Sequence, residues 1–320
     1  MSRRIIPITT AINRHLWLEK LGGLDTVSVR NREWLILLRE DTRNSLMIEG
    51  HFVSRAEIAD LIENPKYTDI GCKIMGYFEA ALASYELAFQ QYKTNEFKIT
   101  KPIIRQMHSL MFRGDPNFHY SPGEWRTGPV EIQGAQIKPV DHFNIERCIE
   151  YLVDVINTPE DNFARKLAVV HDMFEQIHPF PDGNGRVGRI LMNFILVAHG
   201  LPNIAIKGTE KEKKVYISAL EEADPIISKA LKIRAKNPFS NPLVVLEDLI
   251  NKSLATSMDI IICSRYDKIK PLMPLNKAAE NLSKPLHSFR VACSQKKYIC
   301  AKIDGKVKTH PDLLDAPVNN

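Results

Sequence analysis

His178-Pro179-Phe180-Pro181-Asp182-Gly183-Asn184-Gly185-Arg186-Val187-Gly188-Arg189 is the stretch on which the reading of this chain turns. It sets an imidazole, a carboxylate, a glycine-flanked turn and two guanidiniums within one loop and the start of a helix. His178 can take a proton near neutral pH. Asp182 suits Mg²⁺, which takes one or two carboxylates and completes its shell with phosphate oxygens and water. Gly183-Asn184-Gly185 lets backbone N–H groups turn toward an anion, and a helix start adds its dipole. Arg186 and Arg189 lie three apart, hence on one helical face, where they repel unless an anion sits between them. Guanidinium forks fit phosphate oxygens. Together these residues predict a phosphate ligand, and a nucleoside triphosphate carrying a metal ion gives each of them a use.

Gly183-x-Gly185-x-x-Gly188 also matches the dinucleotide-binding fingerprint, with Glu210 near the distance of its ribose-binding acid. That fingerprint needs a buried strand running into the first glycine. Here the approach is Pro179-Phe180-Pro181-Asp182, and two prolines in four residues cannot serve a central strand. Upstream, Phe163, Leu167, Val170, Phe174 and Ile177 recur at helical spacing. A capped helix with solvated arginines would explain each residue singly, but not their joint spacing.

The dodecapeptide resembles the signature of the Fic family, HPFx[D/E]GNGRxxR, and agrees at every specified position. The resemblance implies a mainly helical bundle with a β-hairpin flap. The implied activity is transfer of AMP from ATP, with Mg²⁺, to a Tyr, Thr or Ser hydroxyl of a target protein, the chain itself included. Carried over by position, His178 would be the general base and Asp182 would hold Mg²⁺. Asn184 with the amides of Gly183 and Gly185 would cradle the α-phosphate, and Arg186 and Arg189 would grip the β- and γ-phosphates. Phe180 would anchor the core. The related Doc branch carries Lys at the position of Gly185 and acts as a kinase, so the glycine favours nucleotidyl transfer.

Asn44-Ser45-Leu46-Met47-Ile48-Glu49-Gly50 resembles the inhibitory motif [S/T]xxxE[G/N] of regulated Fic proteins. Ser45 and Glu49 are four apart and share a helical face, and Gly50 is a fitting helix stop. The family implies that Glu49 pairs with Arg189 in the γ-phosphate's place. In some relatives such a glutamate instead positions a water that removes AMP, and one sequence leaves the direction open.

Val130-Glu131-Ile132 alternates, Gly134 offers a turn, and Ile137 precedes Pro139. This resembles the family's flap, which positions a target by strand addition. Gly123-Glu124-Trp125-Arg126-Thr127-Gly128 resembles its usual lead-in.

The whole chain has 320 residues, with 43 Lys and Arg against 38 Asp and Glu. Its patterning predicts an N-terminal region with the inhibitory helix at 1–60, a Fic core at 61–240, and a linker helix with a basic module at 241–320. Helices are expected from Gly71 to Asn95, after a cap at Thr100 (burying Ile103, Met107, Leu110 and Met111), near 142–157 and 161–177, from Arg186 to His199, and near 209–222 and 242–262. The five cysteines are scattered and read as reduced thiols. No apolar run spans a membrane and no signal-peptide core follows Arg4, so a cytoplasmic protein is expected.

Between Ser264 and His310 the charge balance changes, with eleven Lys and Arg against three Asp and Glu, a net of +8 where the whole chain carries +5. Leu275, Ala278, Ala279 and Leu282 form one short helix face, and Ser283-x-Pro285 opens another through Phe289. Tyr298–Ile303, Asp304-Gly305 and Lys306-Val307-Lys308 give a hairpin signal. The segment resembles a small winged helix-turn-helix. Its charge raises an alternative function, a DNA-binding regulator acting through 264–310, beside protein docking. A homodimer is compatible with the sequence.

Overall fold

The computed structural model describes residues 8–25, 27–66, 68–132, 137–303 and 305–314. The chain is mostly helical: α1 (Ile8–Lys20), α2 (Arg32–Ile48), α3 (Arg55–Glu63), α4 (Asp69–Thr94), α5 (Lys101–Met111), α6 (Ile145–Asn157), α7 (Phe163–Ile177), α8 (Asn184–Ala198), α9 (Glu210–Ile233) and α10 (Val244–Tyr266). There follow β1 (Met273–Pro274), α11 (Leu275–Asn281), α12 (Leu286–Ser294), β2 (Ala301–Ile303) and β3 (Lys306–Thr309). Two compact units form, one from 27–30 and 34–250, the other from 1–26, 31–33 and 251–320.

In the larger unit α8 is the core helix. Apart from Gly185, every one of its residues is buried, which is why its sequence is apolar on all sides. α4 and α7 pack against it. The α2–α3 corner is fixed by Leu46, Val53, Ile58, Leu61 and Ile74, which form one apolar cluster. A capping box at Ser54 and Glu57 starts α3. This anchorage decides where Glu49, one residue past the end of α2, can reach.

Two expectations shift in detail. α5 buries Ile104, Met107, His108 and Met111, whereas Ile103 and Leu110 are only half-buried. Thr100 sits at the N-cap without a side-chain cap bond. The inward stripe includes a histidine, which an apolar-only pattern overlooks. α9 also runs eleven residues past position 222, straight through Pro225. Prolines usually break helices, but Ala223, Ile227, Ala230 and Leu231 on one face are buried and hold the second half in place.

The β-hairpin expected around Val130-Glu131-Ile132 is absent from the described residues. Positions 129–132 and 137–140 are irregular, and the expected turn at Gly134 lies outside the described residues. Pro129 and Pro139 remove ladder donors from both arms. Arg126 instead pinches the loop shut, donating to the carbonyls of Gly128 at 2.8 Å and Val140 at 2.5 Å.

In the smaller unit, β1, β3 and β2 form an antiparallel sheet in that order. Leu275, Ala278, Ala279, Phe289, Cys293 and Cys300 form a small core under it. The strands meet where the hairpin signal falls, with Gly305 left-handed; Asp304 lies outside the described residues. All five cysteines are free thiols, and no helix among the described residues is long and apolar enough to cross a membrane.

Candidate active site

His178 caps α7 in a left-handed conformation, φ +48°, a strained geometry for a residue with a side chain. Its Nδ1 lies 3.1 Å from the carbonyl of Glu175. A carbonyl only accepts, so Nδ1 carries the proton and Nε2 keeps its lone pair. Burial, with the charge of Arg126 added, holds this imidazole below its ordinary 6.5. The ring is therefore neutral and basic at physiological pH.

The loop after it is braced from three sides. Phe180 is fully buried and stacks on His108, ring centroids 3.9 Å apart. His108 accepts from the Gly123 amide at 2.8 Å and donates to the Asp182 carbonyl at 3.2 Å. Burial pushes its pKa down to about 4, so it serves as a neutral bridge. Arg126 donates to the His178 carbonyl at 2.7 Å, and its amide donates to the Pro179 carbonyl. One guanidinium thus joins the backbone of His178 to both ends of the 128–140 loop. Arg126→Ala should cost about 3 kcal/mol, the rough worth of two or three such bonds. It should also raise KM for a protein target about tenfold more than KM for nucleotide; parallel rises in steady-state assays would count against the clamp.

Asn184 is buried, its side chain accepting from the Phe180 amide and donating to the Phe180 carbonyl, each at 2.8 Å. Its side-chain amide therefore holds the loop's shape. What faces a ligand is the helix start, where the N–H groups of Asn184, Gly185 and Arg186 have no partner within the helix. Gly183 turns at φ +76°, and a Cβ there would lie 2.6 Å from the Phe112 ring. Asp182 accepts from the Gly183 amide and from Arg186 with Oδ1, and its side chain is 60% exposed. A carboxylate with its second oxygen open to solvent fits an ion shared with substrate phosphates. Among the described residues no three His, Cys, Asp or Glu are grouped to hold a metal by themselves.

Arg186 lies buried over Phe112, 5.0 Å from the ring centroid. Arg189 is 2% exposed, with Nε on the Ser45 hydroxyl at 2.8 Å and Nη2 on Glu49 Oε1 at 2.6 Å. Ser45 and Glu49 thus both contact Arg189. Burial pushes the Glu49 carboxyl up, but Arg189, Arg186 and Lys213 outweigh it and leave it below its ordinary value. The carboxylate stands in an anion seat, with Oε1 2.9 Å from where a Cβ on Gly185 would be.

Behind Arg189 lie groups no sequence pattern announced. Asp41 accepts from Tyr85 at 2.6 Å, Tyr77 at 3.1 Å and Asn193 at 3.2 Å, and burial pushes its carboxyl to about 7. Tyr216 is 2.6 Å from His171 Nε2. Glu175 has a buried oxygen with no partner among the described residues, and burial raises its pKa to about 7 from 4.5. The folded state therefore holds this proton more tightly than the unfolded chain. The stabilisation is complete below pH 4.5 and is lost as pH rises to about 7. Relative to Glu175→Gln, the wild type should lose on the order of 3 kcal/mol across that window and nothing further above it. Thermal melts of both proteins at pH 5 and pH 8 measure this; equal gaps would mean Glu175 stays ionised.

The sequence profile of the Fic/DOC family matches residues 98–196. A probable protein adenylyltransferase of Aquifex aeolicus is 31% identical over 287 residues, covering 85% of this chain and 84% of that protein. The protein adenylyltransferase Fic of Aedes aegypti is 26% identical over 57% of this chain, which spans only 36% of that longer protein. Among solved structures, a Fic-domain signalling protein from Bacteroides thetaiotaomicron superposes with TM-score 0.64 at 20% identity, over 81% of this chain and 97% of its own. Fic-1 from C. elegans gives 0.58 at 19% identity, over 82% of this chain and 75% of that chain. The chain belongs to the Fic/DOC family. Its curated relatives carry the name protein adenylyltransferase, a nucleotidyltransferase activity.

Proposed function

We propose that this chain transfers AMP from ATP to a Tyr, Thr or Ser hydroxyl of a protein, itself included, and that Glu49 holds it off. The observation that carries the reading is the anion seat at the start of α8. Arg189 and Arg186 converge there beside free backbone N–H groups, and an internal carboxylate fills it at 2.6 Å. Triphosphate oxygens would replace that carboxylate.

His178 Nε2 takes the proton of the target hydroxyl as its oxygen bonds to the α-phosphorus. The bond from that phosphorus to the bridging oxygen breaks, and pyrophosphate leaves with the electron pair. Arg186 and Arg189 hold the charge that gathers on the leaving group. Mg²⁺ bound with the nucleotide would be held by Asp182 and would neutralise phosphate charge. The loop at 128–140, with Val130, Glu131 and Ile132, would place the target strand. Its arms lack cross-strand partners among the described residues, which leaves backbone groups for strand addition. Intact mass after incubation with ATP and Mg²⁺ tests the reading. An added AMP on Glu49→Gly and little on the wild type is the expected result; no added mass on either overturns it.

The position of the Glu49 carboxylate within the site also favours a reverse reaction, in which it would orient water against an AMP-modified protein. Loss of AMP from a pre-modified target, abolished in Glu49→Gly, would establish that direction. A DNA-binding role for the basic segment has weaker support. Arg265 pairs with Glu33 and Asp25, Lys270 with Asp312 and Lys296 with Asp259, so part of the +8 is spent within the chain. Lys284, Arg290, Lys297 and Lys302 remain exposed. Duplex retention that survives moderate salt would favour a winged-helix reading of this segment.

A further inference from the structure

Ser45 and Glu49 stand in one motif and touch one guanidinium, but they engage different edges of it. Arg189 carries five N–H groups. Its Nε and Nη2 make a side edge, and Nη1 and Nη2 make an end edge. Ser45 covers the side edge with two oxygens: its hydroxyl accepts from Nε at 2.8 Å and its backbone carbonyl accepts from Nη2 at 3.3 Å. Glu49 accepts from Nη2 at 2.6 Å. Nη1 and the Glu49 carboxylate both overhang Gly185, 3.2 and 2.9 Å from where its Cβ would be. With the side edge held by Ser45, the end edge is aimed at the start of α8.

The two contacts also differ in which can let go. Ser45 is buried within α2, and Leu46 beside it is buried too. One turn earlier, Asp41 accepts from Tyr77, Tyr85 and Asn193. Asn44 Oδ1 accepts from the Gly208 amide. These bonds tie the middle of α2 to α4, to α8 and to the segment before α9, and Asn193 lies one turn beyond Arg189 on α8. Glu49 instead sits past the end of α2 with a partly exposed side chain, and Gly50 follows it at φ +90°. The glutamate can turn out into solvent while the serine stays. Arg189 then keeps the bonds that aim it and loses only the anion it faces.

We propose that Ser45 builds the seat that Glu49 fills. It is a positioning residue for the nucleotide, holding Arg189 so that its end edge meets the terminal phosphate. The inference rests on the reading of the seat as a triphosphate site, and it separates Ser45 from the inhibitory role that the motif's resemblance implies. Without the hydroxyl, Nε becomes a buried donor lacking its partner, and the guanidinium must turn to find another. A fork held in place in advance loses less freedom when phosphate arrives.

The test uses the Glu49→Gly background, in which the seat is open, and sets that protein beside its combinations with Ser45→Ala and Ser45→Thr. ATP and ADP dissociation constants are measured calorimetrically with Mg²⁺, well below each variant's melting temperature. The expected result is about a tenfold weaker ATP affinity with Ser45→Ala and ADP affinity within about twofold, because ADP lacks the phosphate that Arg189 would meet. Ser45→Thr keeps the hydroxyl and should recover most of the ATP affinity. With Glu49 present, Ser45→Ala should not raise AMP transfer above the wild type. An ATP affinity untouched by Ser45→Ala would overturn the proposal, and raised transfer with Glu49 present would return Ser45 to the inhibitory side. Equal weakening of ATP and ADP would also overturn it, since Ser45 would then only pack α2 against α8. Should Glu49→Gly alone bind no ATP, the triphosphate reading falls first, and this inference falls with it.

Discussion

Glu49→Gly is expected to raise AMP transfer about a hundredfold. The lock proposed for Glu49 is intramolecular: the carboxylate hangs one residue beyond α2, which Leu46, Val53, Ile58, Leu61 and Ile74 fix against α4. A tethered competitor meets Arg189 at an effective concentration of millimolar or above. In the proposed reading the terminal phosphate would have to displace it before the triphosphate seats. A charge-assisted Arg–carboxylate contact in a partly desolvated pocket is worth about 2–3 kcal/mol, and each 1.4 kcal/mol is tenfold. The glutamate side chain is 36% exposed while that of its arginine is buried, so one partner can swing out without unfolding anything. Glu49→Gln retains the size and loses the charge, and should fall between wild type and Gly. Initial rates with ATP and Mg²⁺ decide the matter. Equal rates for all three proteins would mean that Glu49 is a helix-end residue and that something else limits transfer.

The consecutive residues of the chain proved more legible than the convergent ones. The dodecapeptide announces itself because backbone N–H groups, a base and two arginines are consecutive in one loop and helix start, so spacing alone carries their chemistry. Ser45 and Glu49 were legible by resemblance, and their separations from Arg189, 144 and 140 residues, are bridged only by the fold. His108, Asp41, Asn193 and Tyr216 were not legible. Each occupies a helical face where an apolar residue would serve equally, and their meaning lies in partners from other helices. Arg126 was visible as part of the Trp125-Arg126 lead-in, but its clamp on four backbone carbonyls depends on how the 128–140 loop returns. Among the described residues the arms at 130–132 and 137–140 form no strand, since alternation over three residues is short and prolines flank both arms, while the expected turn lies outside them. The charge of residues 264–310 points toward DNA phosphate in the sequence, whereas Arg265 and Lys296 are half-buried and paired within the chain.

His178→Ala is expected to cut transfer about a thousandfold and to leave nucleotide affinity within about twofold. General bases contribute typically 10²–10⁴. A thousandfold is the middle of that range, for an imidazole that the Glu175 carbonyl holds in one tautomer. Its ring bonds to the Glu175 carbonyl, whereas Glu49 and Ser45 are what bond Arg189, so binding should survive its loss. The backbone at 178 is left-handed, and alanine there carries strain that a histidine with a fixed ring bond offsets. His178→Asn separates the two effects, because asparagine tolerates that conformation and still lacks a base. Both variants should be equally inactive, with Asn the more stable. The pH profile gives an independent reading. Burial lowers the imidazole's pKa, so wild-type activity should hold below pH 6.5 before its acid limb begins. That limb should vanish from the residual rate of His178→Asn. An acid limb that persists unchanged would assign the proton transfer to another group, and the fixed tautomer at 178 would then be a consequence of the strained cap alone.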